Sequence, residues 1–108
     1  MVEQAYSLDA VFGSLSDPTR RDILKRISER SMSVGAIARH YKFSLAGVAK
    51  HLEVLERSGL VSKTRRGKEQ IVKVEPQAFA AANDCLENYK QLWDQRLDSL
   101  DQYLKSIN

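Results

Sequence analysis

Lys50 and His51, followed at a short interval by Arg65-Arg66-Gly67-Lys68, are the residues whose types and spacing suggest chemistry. Lysine can donate to guanine O6 and N7 or to a phosphate; histidine is a shorter donor suited to a base edge or a backbone oxygen. A hairpin tip with three like charges gains nothing in stability from their repulsion, but it makes sense beside phosphates. Ser44, Ala46 and Gly47 share the Lys50 face, and small residues there would let a helix backbone approach base edges. The bland reading of that face stands beside this one: a solvated surface with a tolerated glycine, which costs roughly 1 kcal/mol against alanine. His51 also has a bland reading, packed against the preceding turn with a hydrogen bond to the domain's own backbone.

Other chemistries find no support. No nucleophile elbow, phosphate loop or paired carboxylate is present, and Asp98 and Asp101 fall on a charged helical face, so no catalytic residue is assigned. His40, His51 and Cys85 cannot supply the several converging N or S ligands a transition metal needs, so no metal site and no cofactor is expected. His40 reads as a helix-end or phosphate-contact residue. The single cysteine excludes an internal disulfide and fits a reducing compartment. Cys85 is expected to be a small buried hydrophobe, with a redox role as the alternative.

The elements that must position these groups follow from caps and periodicity. Ser44 is a good N-cap; Leu45, Val48, Leu52 and Leu55 recur at helical spacing and should face a core; Gly59 sits where a left-handed C-cap belongs. A short helix is expected from about Ser7 to Ser14, with Leu8, Val11, Phe12 and Leu15 on one side. Asp17-Pro18 caps a second, with Ile23, Leu24 and Ile27 buried and Arg20, Arg21, Lys25, Arg26 and Arg30 exposed. Ser33 caps a third, Val34 to about Tyr41, with Ile37 and Ala38 buried. The tight link Lys42-Phe43-Ser44 makes the third and fourth helices a helix-turn-helix. Leu60–Lys63 and Gln70–Val74 should pair as a hairpin, Val61 against the Ile71-Val72 region, with Arg66-Gly67-Lys68 as its turn. Pro76 opens a helix to about Ile107, with Phe79, Leu86, Trp93, Leu100 and Ile107 seven residues apart and Ala82, Tyr89, Leu97, Tyr103 and Leu104 widening the stripe. At 1.5 Å per residue it would span about 48 Å. A domain of this size has a radius of gyration near ~13 Å, so a second copy should cover part of the stripe.

The 108 residues should form one domain, with residues 17–75 as helix-turn-helix and wing and residues 1–16 and 76–108 as dimerisation helices. The fold class expected is mainly α with a small β-hairpin. The net charge of +3 is uninformative, but residues 17–68 hold thirteen Lys/Arg against five Asp/Glu, a polyanion-binding footprint. With no secretory signal and no apolar run near the ~20 residues of a membrane span, a cytoplasmic, membrane-free location is expected.

With Leu15-Ser-Asp-Pro-Thr-Arg-Arg-Asp-Ile-Leu24, Val48-Ala-Lys-His-Leu-Glu-Val-Leu-Glu-Arg-Ser-Gly-Leu-Val61 and the basic hairpin after them, the chain resembles the ArsR/SmtB family of winged-helix repressors. The resemblance covers nearly the whole length, and the tail Trp93–Leu104 looks like a branch that does not sense metals. It implies a homodimer built on the first and last helices. Ser44–Arg57 would be the recognition helix and Arg65–Lys68 the wing tip, and the partner would be double-stranded DNA at an imperfect palindrome in a promoter. The matching contact positions are Ser44, Lys50 and His51 plus the wing; Ala49 departs from the family's frequent serine. The family's metal ligands are missing: Val34–Tyr41 has no cysteine, and no histidine follows His51. Dimer contacts are expected at Leu8, Phe12, Leu86, Tyr89, Trp93, Leu97, Leu100 and Tyr103. Any effector is unknown. A dimeric winged helix for protein contact or RNA is the competing function, and it would not require a basic wing aligned with a basic helix.

Overall fold

The computed structural model describes residues 7–107. Residues 1–6, part of the segment expected to help dimerise, lie outside the described residues. Helix α1 (Leu8–Leu15) starts at Ser7, whose hydroxyl accepts from the Ala10 amide at 3.3 Å. In α2 (Pro18–Glu29), Asp17 Oδ1 accepts from the Thr19 and Arg20 amides at 2.8 and 3.0 Å, and Pro18 stands where a missing N–H costs nothing. Strand β1 (Met32–Ser33) leads into α3 (Val34–Ala38), then come α4 (Leu45–Arg57), β2 (Val61–Arg66), β3 (Glu69–Val74) and α5 (Pro76–Ser106). The fold is mainly helical with a small sheet, as expected.

Helix α4 is sealed at both ends. Ser44 Oγ accepts from the Gly47 amide at 3.1 Å. At the other end Gly59 adopts φ +83°, the Leu60 amide donates to the Leu55 carbonyl and the Gly59 amide to that of Glu56. That pair of bonds is a Schellman motif, and buried Leu60 closes over buried Leu55 as the motif requires.

Three expectations about the sheet and α3 need correction. The sheet has three strands in the order β1-β3-β2, because β3 offers a free edge on which Met32 and Ser33 pair with Val72 and Ile71. The wing register puts Val61 opposite Val74, with Lys63 opposite Val72 and Thr64 opposite Ile71. A two-residue turn at Gly67-Lys68 sets it; Gly67 has φ +63° and Lys68 does not, the sign pattern of a type II′ hairpin. Finally α3 stops at Ala38, only half-buried, and residues 39–41 continue as single turns, with His40 and Tyr41 amides bonded to Ile37 and Ala38 carbonyls.

The core is Val11, Ile23, Leu24, Ile27, Ile37, Val48, Leu52, Leu55, Leu60, Val61, Val72, Ala78 and Ala82. Leu45 does not join it. At 59% exposed it sits on the first turn of α4, where it lines an open cleft with Ser33, Val34 and Gly35 and with Lys68, Glu69 and Gln70 of the wing. The long helix α5 docks only through its first turns. Its 31 residues extend about 46 Å, giving a radius of gyration of 19.0 Å and a longest dimension of 69 Å.

Candidate nucleic-acid interface

Ala46 and Lys50 point outward from α4 and are exposed. The other two outward positions are partly covered, by the turn before the helix. Phe43 lies over Gly47 so closely that a Cβ there would stand 3.2 Å from Phe43 Cδ2. A side chain at this position would therefore require the Phe43 ring to shift by a few tenths of an ångström. The Phe43 ring stacks on Tyr41 at 5.2 Å between centroids and meets His51 edge-on at 5.9 Å.

His51 is therefore half-buried rather than fully outward. Its Nδ1 lies 3.4 Å from Arg20 Nη1. Arginine can only donate, so Nδ1 accepts and the ring proton sits on Nε2. The turn does pack on His51, as the bland reading requires, but the bond runs to an arginine side chain, not to backbone.

The basic face of α2 also does more internal work than its composition suggests. Arg20 donates through Nε to the Ser14 carbonyl at 2.8 Å and through Nη2 to that of Gly13, and Arg21 donates to that of Leu15 at 2.7 Å. Together they satisfy the carbonyl end of α1, where cations are favoured. Arg26 reaches Asp22 Oδ2 at 2.9 Å and His40 Nδ1 at 3.1 Å, with its guanidinium over the Tyr41 ring. Tyr41 donates to the same Asp22 oxygen at 2.5 Å. The Tyr41 hydroxyl, then Arg26, holds the Asp22 carboxyl below its usual range, while burial first and then Asp22 push the Tyr41 phenol up to about 12. The Arg20 amide at the cap is the main cause that lowers Asp17. This cluster clamps the helix-turn-helix turn to α2. Its sequence signal was available: Asp22 and Arg26 stand four apart on one helix.

On the wing Arg65, Arg66 and Lys68 are all exposed, with Arg65 Nε also 3.3 Å from the Gly67 carbonyl. Lys63, at the wing's base, pairs with Glu56 of α4 at 3.6 Å and couples the two elements. Wing turn and helix start border one cleft of about 350 Å³, lined by Ser33, Val34, Gly35, Leu45, Lys68, Glu69 and Gln70. So Leu45 at the start of α4 and Lys68 at the wing turn border a common opening, Ser44, Ala46 and Lys50 are exposed on α4 and its cap, and Gly47 and His51 are set back under Phe43.

The helix-turn-helix domain family matches residues 15–64. HTH-type transcriptional regulator Rv2034 of Mycobacterium tuberculosis is 30% identical over 100 residues, 93% of this chain and 91% of that protein. Transcriptional repressor SdpR of Bacillus subtilis is 37% identical over 60 residues, 56% of this chain and 67% of that protein. Among solved structures, an ArsR-like transcriptional regulator from Rhodococcus sp. RHA1 superposes with a TM-score of 0.75 at 32% identity, over 88% of this chain and 90% of that one. The chain belongs to the ArsR family of winged helix-turn-helix transcriptional regulators.

In this ArsR-family regulator, no three His, Cys, Asp or Glu side chains among the described residues come together as a metal-holding group. Cys85 is half-buried, short of the full burial expected, because α5 is already leaving the core at that turn. Of the residues expected at a dimer contact, Leu8 and Phe12 are half-buried, Phe12 against the protomer's own core. Leu86, Tyr89, Trp93, Leu97, Leu100 and Tyr103 are exposed, and Leu92, overlooked in the sequence, joins their stripe. No described helix is long and apolar enough to cross a membrane.

Proposed function

We propose that the chain acts as a cytoplasmic homodimer that represses transcription by binding a palindromic promoter operator, and does so without sensing metals. Helix α4 enters the major groove by its first turns, where Ser44, Ala46 and Lys50 meet base edges or phosphates, and His51 presents its Nε2 proton from beside the Phe43 ring that covers Gly47. Arg65, Arg66 and Lys68 sit on the adjoining backbone. The observation that carries this reading is the cleft that Leu45 at the start of α4 and Lys68 at the wing turn both border, with Lys50, Arg65 and Arg66 exposed on the same two elements. The exposed distal stripe of α5 supports a second copy as the covering partner, which would place two α4 helices on two half-sites. The lack of a metal-holding cluster among the described residues supports operator affinity that zinc, cadmium, arsenite and copper leave unchanged.

Footprinting the full chain on its own upstream region tests the reading directly. Two protected half-sites about one helical turn apart are expected. Affinity should fall steeply with salt, since each neutralised phosphate releases counterions. A flat salt profile, or no protection anywhere on that DNA, would overturn it.

A further inference from the structure

Leu45 is the residue the fold leaves unexplained. It stands at the first helical position of α4, directly after the Ser44 cap, and is 59% exposed while Val48, Leu52 and Leu55 of the same helix are fully buried. It stands apart from the exposed stripe of α5, on the end of α4 that adjoins the wing. It borders the cleft that the wing closes on the far side with Lys68. Resting on the DNA-binding reading above, we propose that Leu45 determines operator specificity by packing its methyl groups on the C5-methyl of a thymine in each half-site.

The chemistry singles out that target. In the major groove thymine alone among the four bases presents an apolar group, and an aliphatic side chain has no hydrogen bond to offer the others. The N-terminal turn of a recognition helix is the part that reaches base edges. Ala46 beside it is turned about 100° away, toward the Lys50 face, and Lys50, more than one turn further, is a polar reader. Leu45 thus supplies an apolar determinant next to polar ones, and a cytosine or guanine at its position leaves a polar edge facing a leucine.

Duplexes selected by the full-length protein from a randomised library identify the preferred site. Each thymine of that site is then replaced in turn by deoxyuridine, which removes only the methyl group. One position per half-site should respond, affinity falling about fourfold for one half-site and more than tenfold for both, as the burial of single methyl groups implies. Leu45→Ala should bind thymine and deoxyuridine duplexes equally, and Leu45→Gln should change the base selected at that position. Neither variant should alter the melting temperature, since the side chain is outside the core. If selection succeeds but no deoxyuridine matters, or if Leu45→Ala keeps full thymine sensitivity, the Leu45 proposal is wrong while DNA binding stands. If no sequence is enriched at all, the sequence-specific reading itself fails.

Discussion

Helices α4 and α5 carry the same kind of apolar period and meet opposite fates. In α4 the stripe Val48, Leu52 and Leu55 is fully buried, and both helix ends are capped. In α5 only Ala78 and Ala82 are buried; Leu86, Trp93, Leu100 and Ile107 stay more than half exposed, and Glu75 makes no side-chain cap bond. Periodicity tells which face of a helix requires burial, not what buries it. For α4 the answer is the protomer. For α5 nothing in the protomer does, because a layer of short helices and a three-stranded sheet ends well before the helix does, and the second copy proposed above is the cover that the tests below probe.

The largest effects should come from cutting each stripe. Leu52→Ala should cost roughly 2–5 kcal/mol of protomer stability, independent of protein concentration. Trp93→Ala combined with Leu100→Ala should leave the protomer core intact. It should raise the dimer dissociation constant roughly a thousandfold, since a dimer of the variant loses four anchors, two from each subunit, at about 1 kcal/mol each. DNA affinity should fall in parallel. Sedimentation at several concentrations separates the two outcomes, and a double variant that sediments like the parent would erase the contrast between the helices.

The wing offers the next test. Replacing Arg65, Arg66 and Lys68 together with alanine removes exposed charge and leaves the core untouched. Binding should weaken on all DNA sequences alike, with the log–log salt slope falling by about one for each phosphate that is no longer neutralised. If operator and random duplexes weaken unequally, the wing reads bases and α4 is not the only specificity element.

Much of this architecture was legible because it is written in local chemistry. Asp17-Pro18, Ser44 and Gly59 mark helix ends through caps that need only neighbouring atoms, and Gly67 marks a turn for the same reason. What escaped was set by distant partners. Met32 and Ser33 show no strand pattern and pair only because the β3 edge is there to receive them. Leu45 fits the α4 stripe by spacing; nothing local reveals that it faces an open cleft instead of the core. The arginines of α2 look like a free basic face until α1 supplies carbonyls and the turn after α3 supplies Tyr41 and His40. Likewise the candidate interface was legible as a charge pattern, whereas the covering of Gly47 and His51 by Phe43 required the folded turn.

A smaller effect separates the α2–α3 clamp from the uncapped start of α5. Asp22 has its pKa lowered in the fold, so its contribution is present above the ordinary carboxylate value of 3.8 and is lost as pH falls through the depressed one. Tyr41 is raised from 10.0 to about 12, so its contribution is complete below 10.0 and is lost as pH rises toward about 12. The clamp is thus intact across the neutral range and fails at both extremes. Asp22→Asn should flatten the acid limb of a melting-temperature profile. A tyrosinate absorbance step near 12 should be present in the parent and absent in Tyr41→Phe. An unchanged acid limb would mean that the turn is held by Phe43 packing alone.

The smallest expected change concerns Gly47→Ala, and its sign sharpens the comparison of the two helices. Alanine gains up to roughly 1 kcal/mol of helix propensity, less in a first turn. Against this, the new Cβ would meet Phe43 Cδ2 at 3.2 Å, so the ring must yield by a few tenths of an ångström. Phe43 is 42% exposed and has open solvent on one side, so it can yield. A net stabilisation of about 0.5 kcal/mol follows, a rise of about 2–4 °C in melting temperature for a domain of this size. Should the temperature fall instead, the ring is fixed between Tyr41 and His51, and Phe43→Ala in the same background should restore the loss. The start of α4 would then be locked by aromatic packing as firmly as its stripe is locked by the core, whereas the distal turns of α5 have no such lock within the protomer.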